Sequence, residues 1–302
     1  MGWSSLDVQY ELARALFGQR GERMLQAWLD DQLERVTSPS FAALFADNLA
    51  IPGAAPADFN HRMIRHQGQE LLGGIRFYGG QVEHPFVEVV AHGFSDEAQL
   101  RTCVAAEWSQ FKPKGLRLLV APDQRPAEDA VVDTRVYAAR YGELRLPDGR
   151  IKLRSFASPE DAVEMVEQRF LALRADQPEL AARVFAASPD HLRAWHADNT
   201  LRAIEAEVDG VRVNVGLLAI RPDRLEWLEG DVVQEEIVLG AYAGHGFAAS
   251  AQMAWGEHFS LDPSRLLLGT IDGLNVASSR TAHRVGRRAV LEYCFLPLGD
   301  SG

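Results

Sequence analysis

The spacing of apolar residues divides the first half of the chain into helical and extended segments. Residues 5–35 carry apolar side chains at helical spacing, whereas 71–78 and 86–90 are short apolar runs that predict two strands joined by a glycine turn. Residues 39–56 show neither helical spacing nor a strand-like apolar run and are predicted to lack a regular element. The remaining segments predict a helix over 96–111, capped by Ser95, and strands over 116–120 and 131–137.

A strong turn signal lies near the middle of the chain. The stretch Arg145-Leu-Pro147-Asp-Gly149 combines a proline with a glycine, and the pattern of strands and helices restarts directly after it. A chain of 302 residues is also long enough for two domains. We therefore predict an N-terminal α/β domain over 1–147 and a C-terminal domain over 148–302.

The second half alternates strands and helices. Ser158-Pro159 predicts a helix start, because serine caps a helix and proline fits its first position. Asp209-Gly210 lies between two alternating runs and predicts a tight hairpin. The predicted order is a strand over 151–156, helices from 158 and over 178–187, strands over 201–208, 211–220 and through 238, a helix to 258, a strand over 266–271, a helix over 276–285 and a strand over 289–296.

One stretch of the second half combines the features of a phosphate-binding turn. After the pair Glu235-Glu236, a short aliphatic strand leads into Gly244-His-Gly246 and then into a helix of small residues. Backbone N–H groups at a helix start, with no side chain in the way, favour the binding of an anion. After the next apolar run, 266–271, a second polar segment begins with Asn275-Val-Ala-Ser278.

Composition and charge narrow the class of protein. The formal net charge is −11 and no basic run offsets it, which argues against a nucleic-acid partner. Cys103 and Cys294 are too few for a disulfide framework and are predicted to be reduced core thiols. No apolar run reaches the ~18 residues of a membrane span and no signal peptide is evident, so we expect a soluble, cytoplasmic protein without a membrane partner. The scattered histidines predict no metal site.

The element order, the glycine turn and the asparagine segment together resemble the GNAT family of acyl-CoA N-acyltransferases, most clearly in the C-terminal half. The resemblance implies an α/β (α+β) fold in which helices flank a mixed central sheet. His92-Gly93-Phe94 stands between a strand and a helix, as His245-Gly246-Phe247 does in the second half. This faint repeat favours two tandem GNAT-like domains, the first one degenerate. An unrelated α/β domain is the alternative for the first half.

The resemblance also implies acetyl-CoA (CoA) as the co-substrate. Its pyrophosphate would lie on the glycine turn, and its pantetheine arm would pair with free backbone groups of the preceding strand. By the same resemblance, Asn275 would contact the pantetheine arm. A plain helix cap is the alternative role for Asn275, and the two roles are compatible. The implied cofactor-binding residues are Ile237, Val238, Leu239, Gly244, His245, Gly246, Phe247, Ala248, Asn275 and Ser278.

The general base implied by the resemblance is a glutamate of the fourth strand of the domain. Glu235 and Glu236 are both placed for this role, but strand alternation sends them to opposite faces, so only one can face the cleft. We favour Glu236, because it lies nearer to the glycine turn.

Two positions depart from the family pattern. Ala241 stands where the signature has Gln or Arg, and Ala282 stands where a tyrosine often protonates the leaving thiolate. His283, Ser279 or a water molecule are the alternative proton donors. Arg280 and Arg287 are expected to be solvated rather than to bind the 3′-phosphate of CoA.

The activity implied by the resemblance is transfer of an acyl group to the amine of a small molecule, by direct attack in a ternary complex. A catalytically silent CoA-binding or regulatory protein is the alternative that Ala241 and Ala282 favour. A structural role, with the N-terminal half as a dimerisation or scaffold module, is a third reading. The sequence identifies neither the acceptor amine nor the acyl chain, and it leaves a homodimer open.

Overall fold

The computed structural model describes residues 3–49, 51–122, 124–259 and 262–299. The chain divides into two compact units, one within residues 1–135 and 290–302 and the other within 136–289. The division falls inside two strands, β5 (Val131–Arg140) and β11 (Arg288–Pro297). The first break, after residue 135, precedes the turn near residue 147, and the second assigns most of β11 to the first unit. The domain boundary at that turn stays a prediction.

The first unit begins with helices. α1 (Asp7–Phe17) and α2 (Gln19–Glu34) fill the segment predicted to be helical. The prediction of no regular element over 39–56 is wrong in part, because this segment contains α3 (Pro39–Ala46). Ser38 caps α3 by accepting the N–H of Phe41 at 3.2 Å.

The fourth helix of the first unit corrects a predicted cap. α4 (Glu97–Glu107) follows Asp96, whose side chain accepts the N–H of Ala98 at 2.9 Å. Asp96 is therefore the cap, and Ser95 is not. A carboxylate is also the better partner for the positive end of the helix dipole.

The sheet of the first unit is mixed. β1 (Arg62–His66), β2 (Gln69–Phe77) and β3 (Pro85–His92) are antiparallel, and β4 (Gly115–Val120) runs parallel to β3. β11 pairs with β4, so the order is β1-β2-β3-β4-β11. Only β1 is not predicted, because its sequence is largely polar. The largest fully buried side chains of the core of this unit are Phe59, Leu71, Ile75, Leu100, Trp108 and Leu116.

The second unit contains one helix more than predicted. The predicted helix over 178–187 is a single turn, α6 (Pro178–Ala181), and a separate helix, α7 (Pro189–Ala197), follows it. Ser188 starts α7 by accepting the N–H of His191 at 3.2 Å. The other helices of this unit are α5 (Pro159–Asp176), α8 (Phe247–Phe259) and α9 (Val276–Val285).

The sheet of the second unit is also mixed, and the α/β class is confirmed. Its strands are β6 (Ile151–Arg154), β7 (Leu201–Val208), β8 (Val211–Leu225), β9 (Leu228–Val238) and β10 (Leu266–Asp272), in the order β10-β9-β8-β7-β6 with β5 beside β10. β6 to β9 are antiparallel, and β10 is parallel to β9. The predicted hairpin joins β7 and β8, with φ of +51° at Asp209 and +78° at Gly210.

Helices cover both faces of this second sheet. α8 packs on one face, where Trp255 contacts the cluster that contains Ile204 and Leu218. α5 and α7 pack on the other face, where Trp195 contacts the cluster that contains Leu217 and Ile237. Alternate side chains of each strand therefore enter opposite cores. None of the helices in the described residues has the length and apolar character needed to cross a membrane.

Candidate functional site

A cleft opens in the second unit where β9 and β10 separate. The two parallel strands are paired as far as Val232 and Leu268. Directly beyond that pair, β9 carries a bulge in which Gln234 is the extra residue between Val233 and Glu235. A bulge bends its strand and re-aims the side chains. The cleft forms a cavity of about 590 Å³ that β9, β10, α5, α6, α9 and the start of α8 line.

The glycine turn lines the same cavity. Gly244 and Gly246 have φ of +84° and +78°, a backbone conformation that favours glycine. The N–H groups of Gly244, His245 and Gly246 donate to no atom within the described residues. α8 starts at Phe247, and the N–H groups of its first turn have no acceptor within the helix. Unpaired N–H groups at the start of a long helix form an anion-binding site.

Arginines from two other segments flank this turn. Nη2 of Arg150 and Nη1 of Arg284 lie 3.5 and 3.7 Å from the position that a Cβ would take at Gly246. Arg150 also donates to the carbonyl oxygen of His245 at 3.0 Å, which braces the turn. Arg280 and Arg284, one helical turn apart on α9, line the cavity and form no ion pair with any described residue. Arg150 is ion-paired with Asp148 at 2.8 Å, so the positive charge that favours a phosphate at the turn comes from Arg280 and Arg284.

The strand before the turn exposes part of its backbone to the cleft. Leu239 donates its N–H to the carbonyl oxygen of Val215 at 2.9 Å, so this N–H is not free for a ligand. Because bonding alternates along an antiparallel pair, the N–H and C=O groups of Val238 point to the opposite edge, where β10 has separated. The side chain of Ile237 is buried on the face of α5 and α7.

The adjacent glutamates both line the cavity and contact different elements. Oε2 of Glu235 accepts the N–H of Ala187 at 3.1 Å, and Oε1 of Glu236 accepts from Nε2 of Gln252 on α8 at 2.8 Å. Burial raises the pKa of both carboxyl groups. The Ala187 N–H opposes this shift at Glu235, and Gln252 and Arg287 oppose it at Glu236. A carboxylate with a raised pKa is suited to accept a proton near neutral pH.

Asn275 stands at the start of α9. Its side-chain oxygen accepts the N–H of Ser278 at 3.0 Å, so the helix-cap role is confirmed. Both residues also line the cavity, which keeps a ligand role open to them. At the end of the preceding strand, Asp272 accepts from Nε of Arg183 at 2.8 Å, and this ion pair joins the segment after α6 to β10.

The position that carries a tyrosine in the resembled family is part of the core. Ala282 is fully buried, so position 282 itself carries no proton donor, and the neighbouring Tyr137 does not line the cavity. His283 is exposed, and neither His283 nor Ser279 lines the cavity. The hydroxyl groups that α9 presents to the cavity are those of Ser278 and Thr281. Within the described ranges, no group of three or more His, Cys, Asp or Glu side chains is placed to hold a metal ion.

Arg287 differs most from what the sequence predicts, which is a solvated side chain. Its side chain is not solvated but only 3% exposed, and it lines the cavity beside Val233 and Gly269. Nη1 lies 2.7 Å from the position that a Cβ would take at Gly269, so a side chain there would displace the guanidinium. Nε and Nη1 have no hydrogen-bond partner among the described residues. Burial lowers the pKa of Arg287 to about 10, which leaves it charged at neutral pH.

The structure brings most of the predicted site residues to one cavity. Those that line it are Glu235, Glu236, Ile237, Val238, Gly244, Gly246, Phe247, Ala248, Asn275 and Ser278. Leu239 and His245 do not line it. The ring of His245 is exposed and stacks on Phe247, with 5.5 Å between the ring centroids.

The sequence does not predict the contacts of three arginines of this region. Arg150 and Arg183 come from connecting segments that are distant in sequence from their partners, and a single basic residue in such a segment carries no signal of its contact. Arg287 did have a signal in Gly269. An isolated glycine inside a strand indicates that another group approaches the backbone closely, and here that group is the guanidinium.

The corresponding turn of the first unit is closed. There, β3 leads through His92 and Gly93 into α4. The N–H of His92 donates to Oγ of Ser5 at 2.8 Å, and the N–H of Gly93 donates to the carbonyl oxygen of Glu70 at 2.9 Å. Phe94 is buried in the core. Two of the N–H groups that a phosphate would need are thus used inside the unit, which fits a degenerate repeat.

Similar proteins were found among solved structures only. No protein-family model and no curated protein matches the chain. Solved structures similar to this chain include GNAT-family acetyltransferases. A GNAT-family acetyltransferase from Colwellia psychrerythraea is 13% identical, with a TM-score of 0.47 over 88% of this chain and 96% of its own. A GCN5-related N-acetyltransferase from Sphaerobacter thermophilus is 13% identical, with a TM-score of 0.46 over 87% of this chain and 95% of its own.

A tandem protein is also among these structures. A tandem GNAT protein from the clavulanic acid biosynthesis pathway is 13% identical, with a TM-score of 0.40 over 88% of this chain and 98% of its own. These neighbours come from the family that the sequence resembles. A likeness of this degree carries no conclusion about activity, so we base the functional proposal on the geometry of the site.

Proposed function

We propose that the second unit is an acyl-CoA-dependent N-acyltransferase that acts on the amine of a small molecule, with acetyl-CoA as the donor that the sequence resemblance implies. One observation carries the proposal. The unpaired N–H groups of the turn from Gly244 to Gly246 open into a cavity that also holds two carboxylates of raised pKa, Glu235 and Glu236.

The turn would hold the pyrophosphate of CoA. Its free N–H groups and the start of α8 supply hydrogen bonds, and Arg280 and Arg284 supply positive charge. Ala241 stands where the signature of the resembled family has a polar side chain. Arg280 and Arg284 of α9 would supply the missing polar contacts to the pyrophosphate. The pantetheine arm would follow the open edge of β9 at Val238 and reach Asn275 and Ser278 on the other wall.

The reaction is transfer of an acyl group from sulfur to nitrogen. The neutral amine attacks the thioester carbonyl carbon, the C–N bond forms, and the C–S bond breaks with its electron pair on sulfur. The amine proton passes to a carboxylate, and the thiolate takes a proton from a hydroxyl group or from solvent. Ser278 and Thr281 are the hydroxyl donors that α9 offers in place of the missing tyrosine.

Geometry favours Glu235 as the general base over the residue favoured from sequence, Glu236. The N–H of Ala187 orients Glu235 toward the wall built by α5, α6 and the segment after α6. This wall presents apolar side chains, among them the exposed Phe185, together with the charged Arg169. A small amine can enter from this side. Glu236 is held by Gln252 on the opposite face, where α8 closes the cavity.

A catalytically silent CoA-binding protein is the second proposal. It is favoured by Ala282, which is buried and leaves the position of the usual proton donor without one. The two functions predict the same binding of CoA, and they differ in turnover with an amine.

The test is calorimetric titration with CoA and acetyl-CoA, followed by a turnover screen over a library of amines. Gly246→Ala should weaken binding at least tenfold, because a φ of +78° disfavours a side chain and the added Cβ would contact the two flanking guanidinium groups. Gly210→Ala is the matched control, since Gly210 has the same φ of +78° but lies in the β7–β8 hairpin. Failure of the unmodified protein to bind either ligand would overturn both proposals.

A further inference from the structure

The guanidinium of Arg287 places a positive charge at the closed end of the cleft. No anionic side chain of the described residues forms an ion pair with it. It lies beside Val233 and Gly269, directly past the last paired residues of β9 and β10, and is 3% exposed. Two of its nitrogen atoms, Nε and Nη1, hydrogen-bond to nothing in the described part of the chain. A buried charge without a partner destabilises the folded state, so a protein that retains one commonly uses it to bind a ligand.

The protein side chains around Arg287 do not satisfy it. Glu236 is the acid with the strongest electrostatic effect on Arg287, but the two form no ion pair or hydrogen bond. Glu236 is instead bonded to Gln252, which is fully buried. The guanidinium therefore keeps donors for an incoming anion, and its planar fork matches a carboxylate better than any other small anion except phosphate.

Arg287 lies where the acyl end of the donor would be. This step rests on the proposed function. A thioester with its pyrophosphate at Gly246 and its arm along Val238 runs down β9 toward Val233, where the strands meet. Its acyl group is the part that comes nearest to Arg287. A phosphate at this end would require a second phosphate-bearing ligand, whereas a carboxylate can belong to the acyl chain itself.

We propose that the acyl donor is, in place of acetyl-CoA, a carboxyacyl thioester of CoA, whose acyl chain ends in a carboxylate that binds the guanidinium of Arg287. Malonyl and succinyl thioesters are members of this class. The transfer is unchanged, because the C–N bond forms and the C–S bond breaks as before and the terminal carboxylate takes no part in either. Arg287 is a specificity-determining residue for the donor.

The acceptor is the less suitable source of the carboxylate. Arg287 is on the side of Glu236 and Gln252, where α8 covers the sheet. The side chains of α5 and α6, which offer a route for an amine, line the opposite face with Glu235. A carboxylate on the acceptor would have to pass between the two strands to reach the guanidinium.

Paired donors of equal chain length test the proposal on the unmodified protein. Dissociation constants are measured by calorimetry for succinyl-CoA against butyryl-CoA, for malonyl-CoA against propionyl-CoA, and for CoA itself. A charge-assisted hydrogen bond to a buried arginine should make each carboxyacyl donor about tenfold to a hundredfold tighter than its neutral partner.

Variants then assign the preference to one side chain. Arg287→Met, which keeps the volume and removes the charge, should abolish the preference, and Arg287→Lys should retain part of it. Arg280→Met is the matched control, because Arg280 lines the same cavity on α9 near the turn. It should weaken carboxyacyl and neutral donors by the same factor. Thermal unfolding of each variant without ligand shows that it is folded.

The outcomes separate the two proposals. Equal binding of charged and neutral donors, or a preference that survives in Arg287→Met, would overturn the carboxyacyl donor and leave the acyltransferase standing. An effect of Arg287→Met on the KM of the amine alone would assign the carboxylate to the acceptor and overturn the inference as well. If CoA and all its thioesters fail to bind, the proposed function falls, and the inference falls with it.

Discussion

Glu235 and Glu236 are neighbours in the chain, yet their carboxylates are held by different layers of the second unit. Glu235 accepts from the backbone of Ala187 at 3.1 Å, and Glu236 accepts from the side chain of Gln252 at 2.8 Å. One cavity thus receives a carboxylate from each face of the sheet. Because their environments differ, substitution of each residue can assign its role separately.

Glu235→Gln should lower kcat about a hundredfold or more, because it removes the proposed base and keeps the shape of the side chain. Burial raises the pKa of Glu235. A base must be ionised to act, so kcat/KM should fall as the pH drops through a value above the ~4.3 of a solvated glutamate. The measurement is the pH profile of kcat/KM with the amine that turns over.

Glu236→Gln serves as the matched comparison for this base assignment. It should reduce kcat less than Glu235→Gln does, since the carboxylate of Glu236 is already held by Gln252. A larger loss in Glu236→Gln would return the role to the residue that the sequence favours. Losses below tenfold in both variants would mean that neither carboxylate is the base.

The glycine turn and its helix could be predicted because their signals are local. Unpaired N–H groups at a helix start need only glycine spacing and a preceding strand, and these are visible within a few residues of Gly246. The position of Arg287 could not be predicted in the same way. Its burial depends on the separation of β9 and β10 and on Gly269, eighteen residues earlier in the chain.

Two elements, α7 and β1, are also absent from the prediction. α7 starts at Ser188-Pro189 with the same serine cap and first-position proline that predict the start of α5, so its signal is local and was overlooked. β1 was missed because its sequence, Arg-Met-Ile-Arg-His, is mostly polar and only Ile64 is buried. Tertiary contacts of the unit therefore decide the structure of β1, whereas the start of α7 can be predicted from its local pattern.

Asn275→Ser and Asn275→Ala should separate the cap of α9 from a contact with CoA. Serine can still accept the N–H of Ser278, whereas alanine cannot, so only the alanine variant should lose about 1 kcal/mol of unfolding free energy. If the amide also binds the pantetheine arm, both variants should bind CoA more weakly. Urea unfolding and calorimetry measure the two effects, and unchanged CoA affinity in the serine variant would limit Asn275 to the cap.

Arg183→Met should destabilise the second unit through Asp272. This carboxylate is almost fully buried and pairs with Nε of Arg183 at 2.8 Å. Loss of the arginine leaves a buried charge poorly compensated, which costs about 3 kcal/mol. Thermal unfolding should show a lower Tm. The matched control is Arg193→Met, whose exposed ion pair with Glu160 should give little change, and equal Tm values in the two variants would contradict the role of Arg183.

The first unit should lose stability in mild acid because of His61. Its ring is buried between Gln32 and Arg76, and burial together with the charge of Arg76 lowers its pKa from 6.5 to about 3. Between these values the unfolded chain binds a proton that the folded unit excludes, so the unfolding free energy falls as the pH drops from 6.5 toward 3. This one group contributes a slope of about 1.4 kcal/mol per pH unit, and it contributes none above pH 6.5.

Comparison of His61→Gln with the unmodified protein isolates this contribution. His92, whose pKa burial lowers to about 4, titrates in the same window and is present in both proteins, so the difference between the two slopes belongs to His61. Urea unfolding at pH 4, 5, 6 and 7 should give a flatter dependence on pH for His61→Gln. Parallel pH dependences for His61→Gln and the unmodified protein would show that His61 takes up its proton in the folded unit, and that the pair with Gln32 does not hold the ring neutral.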